Sequence, residues 1–349
     1  MRLHMMDSSM VQHLVDLLDT WLPSYQEDWV LAVLTQVQGS SYRKPGAIML
    51  FHPMGKSLGM LSGGCLEADL RRHAQRAIQT QQVIQLTYDA TDESDTSYQL
   101  GCGGIVNIMM VSLNKSNNYL GLVSVHDALM RSHSGVYQID IVADGTPADQ
   151  LSGHFVEQKS EQATVITLNT KTHKEAFEDH SVLHIPIRPP VHIGIFGGGL
   201  DAQPIAQMAQ TLGWKVTVFD ERTAYARTYD FPGCQIIKKA TKDVSSSLLA
   251  SLDAAFVMSH NLQIDAKTLQ ALQTLSLAYI SLLGPTHRRD KVLSMAKLNI
   301  DDFSGYFSAP AGLALGGELP GSVGLSILSQ CHGVLYQSKI TSLDTVMLS

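Results

Sequence analysis

Ile193-Gly-Ile-Phe-Gly-Gly-Gly-Leu-Asp-Ala-Gln-Pro-Ile205 is a short apolar run that breaks into three glycines and restarts with helical spacing. It reads as a strand, a tight turn and a helix N-terminus. Gly197, Gly199 and Ala202 fall on the G-x-G-x-x-G/A positions. In that pattern the first glycine makes the turn, the second admits a pyrophosphate to the backbone, and the small third residue lets helix and strand pack closely. A glycine-rich strand–helix turn with no ligand has the same letters, so the neighbouring sequence must decide. Lys215-Val-Thr-Val-Phe219 reads as a second strand, closed by Asp220 at 23 residues beyond Gly197. An acidic side chain there is placed to bind a ribose 2′-hydroxyl, which favours an unphosphorylated ribose.

Further apolar runs at Ala254–Met258 and Ala278–Leu283 alternate with helical patterns such as Asp265–Leu275. This is the βαβ rhythm of a doubly wound parallel sheet, so residues 188–349 are predicted to form a Rossmann-like C-terminal domain in an α/β protein. The glycine turn comes after more than half of the chain has passed. Residues 1–187 therefore form a domain of their own, predicted as mixed α/β, and Arg188-Pro-Pro190 is the expected hinge because consecutive prolines stop both flanking elements. From about residue 114 that domain becomes β-rich, with alternating runs at Val136–Val142 and Ala163–Leu168.

Composition narrows the function classes. With 44% hydrophobic and 16% charged residues the chain is globular, and its net charge of −7 with no basic block argues against nucleic-acid binding. No apolar stretch approaches a membrane span and the polar start lacks a signal-peptide core, so a cytoplasmic protein is expected. Cys65, Cys102, Cys234 and Cys331 show no C-x-x-C spacing and are expected as reduced thiols.

In the first half, Val11, Leu14, Leu17 and Leu18 share one face of a helix expected from Ser8 or Ser9 to about Asp19. Val30–Val37 follows as a buried strand. It delivers Gly39-Ser-Ser-Tyr-Arg-Lys-Pro-Gly46 before Ala47–Phe51 resumes as strand. Ser40, Ser41 and Arg43 offer hydroxyls and a cation to an anion, although the same loop also reads as a solvated hairpin connection. Leu61-Ser-Gly-Gly-Cys-Leu-Glu67 leads into a helix expected over Ala68–Gln79, which puts Cys65 near a helix N-terminus. Orphan N–H groups there favour a thiolate, against the alternative of a small buried hydrophobe. A second cysteine turn, Leu100-Gly-Cys-Gly-Gly-Ile105, enters the strand Val106–Val111 and carries Cys102.

Five motifs in order, Gly39-Ser-Ser-Tyr-Arg-Lys-Pro-Gly-Ala-Ile-Met49, Gly63-Gly-Cys-Leu-Glu67, Gly101-Cys-Gly-Gly104, the Gly197-x-Gly199 turn and Ala309-Pro-Ala-Gly-Leu-Ala-Leu-Gly-Gly-Glu-Leu-Pro320, span nearly the whole chain. Together they resemble the xanthine dehydrogenase accessory factor (XdhC/CoxI) family. The resemblance implies a maturation factor rather than a turnover enzyme. Such a factor binds the molybdopterin-type molybdenum cofactor as cargo, protects it while a terminal sulfur is installed, and assists its insertion into an apo molybdenum hydroxylase. A cysteine desulfurase is the implied second partner, and a homodimer the implied assembly. A cargo with a phosphate, a pterin and a metal-holding dithiolene calls for backbone donors, cations and a soft ligand. By resemblance Cys65 is the candidate thiolate at the molybdenum or the sulfur, with Glu67 beside it. Ser40, Ser41, Arg43, Gly63, Gly64 and Cys102 are the candidate cofactor contacts of the same half.

Departures from the family pattern concern the second half. Gly198 and Leu200-Asp201 stand where the family carries an alanine and a histidine, and an acid beside a pyrophosphate is unhelpful unless it caps the helix. Gly197, Gly199, Asp220, His260 and Arg288 are the candidate contacts of the crevice, with NAD or another nucleotide as the ligand left open. His260 lies where doubly wound sheets place ligands, and Arg288-Arg289 matches the family's basic pair. An NAD-dependent oxidoreductase or a nucleotide-sensing adaptor is the alternative function, yet His260 has no evident partner for proton transfer in the sequence.

Overall fold

The computed structural model describes residues 13–89, 104–158, 173–176 and 181–338, which divide between Pro189 and Pro190 into two compact units. The first contains α1 (Leu14–Trp21), β1 (Trp29–Gln38), β2 (Ile48–Phe51), β3 (Ser57–Gly59), α2 (Glu67–Thr80), β4 (Ile84–Asp89), β5 (Ile105–Leu113), α3 (Leu122–Met130), β6 (Gly135–Ile141), β7 (Gly153–Glu157), β8 (His173–Ala176) and β9 (Ser181–Ile187). Five strands form an antiparallel sheet in the order β3-β2-β1-β5-β4, and four form a second in the order β7-β6-β9-β8.

The unbroken apolar run of β1 has a direct cause. Leu31 and Val33 enter one core with Trp21, Val125 and Tyr137, while Val30, Ala32 and Leu34 enter another with Leu70, Ala74 and Ala77 of α2. A strand covered on both faces has no polar alternation to show. Near its end the pairing with β5 shifts between Leu34 and Gln36, leaving Thr35 as an extra residue whose hydroxyl donates to the Asn107 carbonyl at 3.1 Å. The first helix begins at Leu14 rather than near Ser8. His13 Nδ1 accepts the Val15 N–H and Asp16 reaches back to the His13 N–H, a reciprocal cap that sets the start. Ser8, Ser9, Val11, the Ala163–Leu168 run and Cys102 lie outside the described residues.

The second unit contains β10 (His192–Phe196), α4 (Ala202–Thr211), β11 (Lys215–Phe219), β12 (Gln235–Ile237), α5 (Ser246–Ala250), β13 (Ala254–Val257), α6 (Leu262–Leu272), β14 (Tyr279–Leu282), α7 (Thr286–Ala296), β15 (Tyr306–Ser308) and α8 (Pro320–Leu335). Its six strands are all parallel, in the order β12-β11-β10-β13-β14-β15. This is a Rossmann-like doubly wound sheet, with the order reversing between β10 and β13. Helices α4 and α8 bury Ile205, Ala209, Ile327 and Leu328 on one face; α5, α6 and α7 bury Leu249, Leu269, Leu272 and Val292 on the other. Helix α6 starts three residues before the expected Asp265, because Asn261 caps it by accepting the N–H groups of Gln263 and Ile264. Among the described residues no helix is long and apolar enough to cross a membrane.

Candidate functional site

In the first unit, the glycine-rich loops after β1 and before α2 meet at one end of the five-stranded sheet, together with Gly104. The loop after β1 holds Ser40, Ser41 and Arg43; Ser41 Oγ donates to the Arg43 carbonyl at 2.6 Å, and the Arg43 side chain is exposed. Gly104, the last residue of the second cysteine turn, lies against that loop. A Cβ there would stand 2.1 Å from the Ser40 carbonyl oxygen, so only glycine allows the approach. The ring of Tyr42 covers Gly63 at 3.7 Å from where its Cβ would be, and joins the loop before α2 to the one after β1. Between them is a small pocket of about 30 Å³, lined by Leu34, Leu66 and Ile108 together with Ser40, Ser41 and Ser62.

Cys65 is an exposed free thiol immediately before Leu66, the N-cap residue of α2, with Gly63 and Gly64 before it in left-handed conformations. The loop that carries it is clasped from below. Glu67 Oε1 accepts the N–H groups of Leu61 at 3.2 Å and Ser62 at 3.0 Å, Oε2 accepts the Ser62 hydroxyl at 2.6 Å, and Ser62 Oγ in turn accepts the Leu66 N–H. Burial would raise the Glu67 pKa, but the Ser62 hydroxyl and the amides of Ser62, Glu67 and Leu61 outweigh it and hold the carboxyl below its ordinary value. Glu67 thus spends its carboxylate on the shape of the Cys65 loop, which is a positioning role.

In the second unit the candidates gather at the C-terminal ends of β10, β11, β13 and β14. Asp220 is buried, and Arg222 grips it through Nε at 2.9 Å and Nη2 at 2.8 Å. Burial would raise its pKa; the Arg222 bonds and the Gly198 amide prevail and lower it. Arg222 also lies over the Tyr225 ring, 3.7 Å from its centroid. Arg288 has its partners within the chain. Its Nη2 is 2.5 Å from Asp265 Oδ2 and its Nη1 donates to the Leu283 carbonyl, while Asp265 accepts the N–H and hydroxyl of Ser259. The pair is a buried brace for the loop after β13.

His260 sits on that loop with φ +59°, unusual for a residue with a side chain. Its Nε2 is 2.7 Å from Asp201 Oδ2. This bond is the main cause that raises the His260 pKa, opposed by burial and by Arg288. Asp201 occupies the N-cap position of α4 but makes no capping hydrogen bond with its side chain. The partner that sequence reading did not find for His260 is therefore Asp201. No local spacing reveals it; the signal lay in topology, since the segments after β10 and β13 must be neighbours once those strands pair.

Fold and site together define a two-unit protein, with a motif-bearing antiparallel unit before a Rossmann-like one. The profile of the XdhC and CoxI family matches residues 24–89, and that of the XdhC Rossmann domain matches residues 193–331. A Bacillus subtilis protein described as a probable xanthine dehydrogenase subunit is 31% identical over 317 residues, covering 87% of this chain and 92% of that one. The crystal structure of a protein described as a xanthine dehydrogenase from Bacillus halodurans superposes with a TM-score of 0.76 at 26% identity, covering 97% of this chain and 100% of that one. The chain belongs to the XdhC and CoxI family.

Proposed function

We propose that this protein is an accessory factor for a xanthine dehydrogenase-type molybdenum hydroxylase, holding the molybdenum cofactor as cargo on the face where the glycine-rich loops of the first unit meet. The observation that carries the reading is an exposed Cys65 thiol on a loop fixed by Glu67, whose Ser62 and Leu66 line one pocket with Ser40 and Ser41 of the loop that bears the exposed Arg43. A soft thiolate suits molybdenum or a transferred sulfur, hydroxyls suit a pterin edge, and a guanidinium suits a phosphate. Support for the client comes from the descriptions of the two relatives, both of which name xanthine dehydrogenase.

In this reading Cys65 contacts the metal or receives the sulfur delivered by a cysteine desulfurase, and the factor then passes the sulfurated cofactor to the apo-enzyme. The test is to purify the full chain without oxygen from cells that make the cofactor, and to measure its mass and bound molybdenum. Cofactor mass with stoichiometric molybdenum is expected for the wild type, and Cys65→Ala should lose most of the retained metal and of the activation of apo-enzyme. Normal activation by Cys65→Ala would remove the thiol from the mechanism; no cofactor on the wild type would remove the carrier role.

A further inference from the structure

The glycine-rich turn of the second unit would ordinarily announce a dinucleotide. Such a ligand is gripped in two places: an acidic side chain at the end of the second strand accepts the ribose hydroxyls, and the turn lets the pyrophosphate approach the backbone at the helix N-terminus. We propose that neither place is open here, because the chain itself occupies both, and that this Rossmann-like unit does not bind NAD or NADP.

The ribose acceptor is saturated. Asp220 Oδ1 accepts the Arg222 N–H at 3.0 Å and Nε at 2.9 Å; Oδ2 accepts the Gly198 N–H at 2.8 Å and Arg222 Nη2 at 2.8 Å. An ionised carboxylate has about four acceptor sites, and all are used. With the Asp220 side chain 1% exposed, a ribose hydroxyl could enter only by displacing charge-assisted bonds. The space beside it is filled as well. Ala226 folds back onto the turn, its N–H donating to the Gly198 carbonyl at 3.1 Å, and a Cβ on Gly198 would stand 2.4 Å from the Ala226 Cβ.

The phosphate cradle carries an anion. Asp201 Oδ1 lies 2.7 Å from the position a Gly199 Cβ would take, so a carboxylate covers the very glycine whose missing side chain makes room for a pyrophosphate. His260 holds the other oxygen of Asp201 in place, and Arg288 is spent on Asp265, so neither side chain is left over for a phosphate. Two glycines of the turn also have a reason inside the chain. A Cβ on Gly197 would meet the Met258 carbonyl oxygen at 2.5 Å, and one on Gly198 would meet the Ala226 Cβ at 2.4 Å. Over Gly199 stands only the movable Asp201 carboxylate, so that position is closed by a side chain and not by the backbone.

This inference concerns the second unit and stands apart from the cargo reading of the first. Its test is titration of the full chain with NADH and NADPH, followed by fluorescence and by calorimetry at neutral pH. No saturable binding is expected up to roughly 1 mM, and one-to-one binding with a Kd below about 100 µM would overturn the inference. The occlusion itself is tested by opening it. Asp201→Gly combined with Arg222→Gln should gain at least about tenfold in affinity for NADH, with Asp201→Asn alone as the milder variant should the pair fail to fold. Folded variants that gain nothing would show that these two contacts are not what keeps the dinucleotide out.

Discussion

Replacing Arg288 with alanine separates a structural brace from a surface cation waiting for a phosphate. The Arg288 guanidinium is 16% exposed and its partner Asp265 is 0% exposed, at a separation of 2.5 Å. Removing one member of a buried pair costs about 3–5 kcal/mol, because the remaining charge is stranded out of water. Asp265 would keep its two bonds from Ser259, one from the N–H and one from the hydroxyl, which places the expected loss at the lower end, about 3 kcal/mol. For a unit of this size that corresponds to a fall in Tm of roughly 6–12 °C in the transition that reports it. Thermal unfolding followed by circular dichroism at neutral pH is the assay. Arg288→Lys keeps the charge but not the donor to the Leu283 carbonyl, and should lose about half as much. The double change Asp265→Leu with Arg288→Met should recover most of the loss, as the stranded charge is then absent. A shift below roughly 1 °C for Arg288→Ala would refute the brace, since that is how an exposed arginine behaves.

Two further outcomes follow from the titrating groups. The Glu67 carboxyl is held below its ordinary value of 4.5, so its contribution to stability is present above that pH and is lost as pH falls through the lower, folded value. Glu67→Gln should therefore destabilise at pH 6, and the gap from wild type in urea unfolding should shrink below pH 4.5; a gap of constant size would contradict the clasp. His260 behaves with the opposite sign. Its pKa is raised above 6.5 by Asp201, so the pair stabilises fully below pH 6.5 and the contribution fades as pH rises through the folded value. NMR titration of the His260 ring should show its pKa falling in Asp201→Asn, and an unchanged titration would exclude the pair.

Much of the second unit was legible because its signals are local: Lys215–Phe219 is a strand in both readings, and the alternation of apolar runs with helical patterns gives a parallel sheet. Helix starts were less legible, since His13 and Asn261 set them through side-chain caps that compete with the apolar pattern. The candidate residues were located well but their partners were not. Asp220 and Arg222 are two residues apart and Ser62 and Glu67 five, so each pair was within reach of a closer reading of turn chemistry. Asp201 with His260 and Arg288 with Asp265 depend on strand pairing, which no window of sequence contains. Gly104 against Ser40 is of the same kind: the motif letters mark both residues, and only the sheet explains why they belong together.

The two-sided burial of β1 shifts where its register is encoded. In a half-exposed strand a slip by one residue turns greasy side chains to water, and polarity alone corrects the error. Val30–Leu34 has no such proofreading, because a slip merely exchanges residues between two apolar cores. The information must come from the strand's polar end, where Thr35 donates to the Asn107 carbonyl, Asn107 Nδ2 donates to Gln36 and the Thr87 hydroxyl donates to Asn107 Oδ1. These few hydrogen bonds act as an indexing pin. They fix the phase of a strand that would otherwise slide, and so determine on which side of the sheet Ser40, Ser41 and Arg43 emerge.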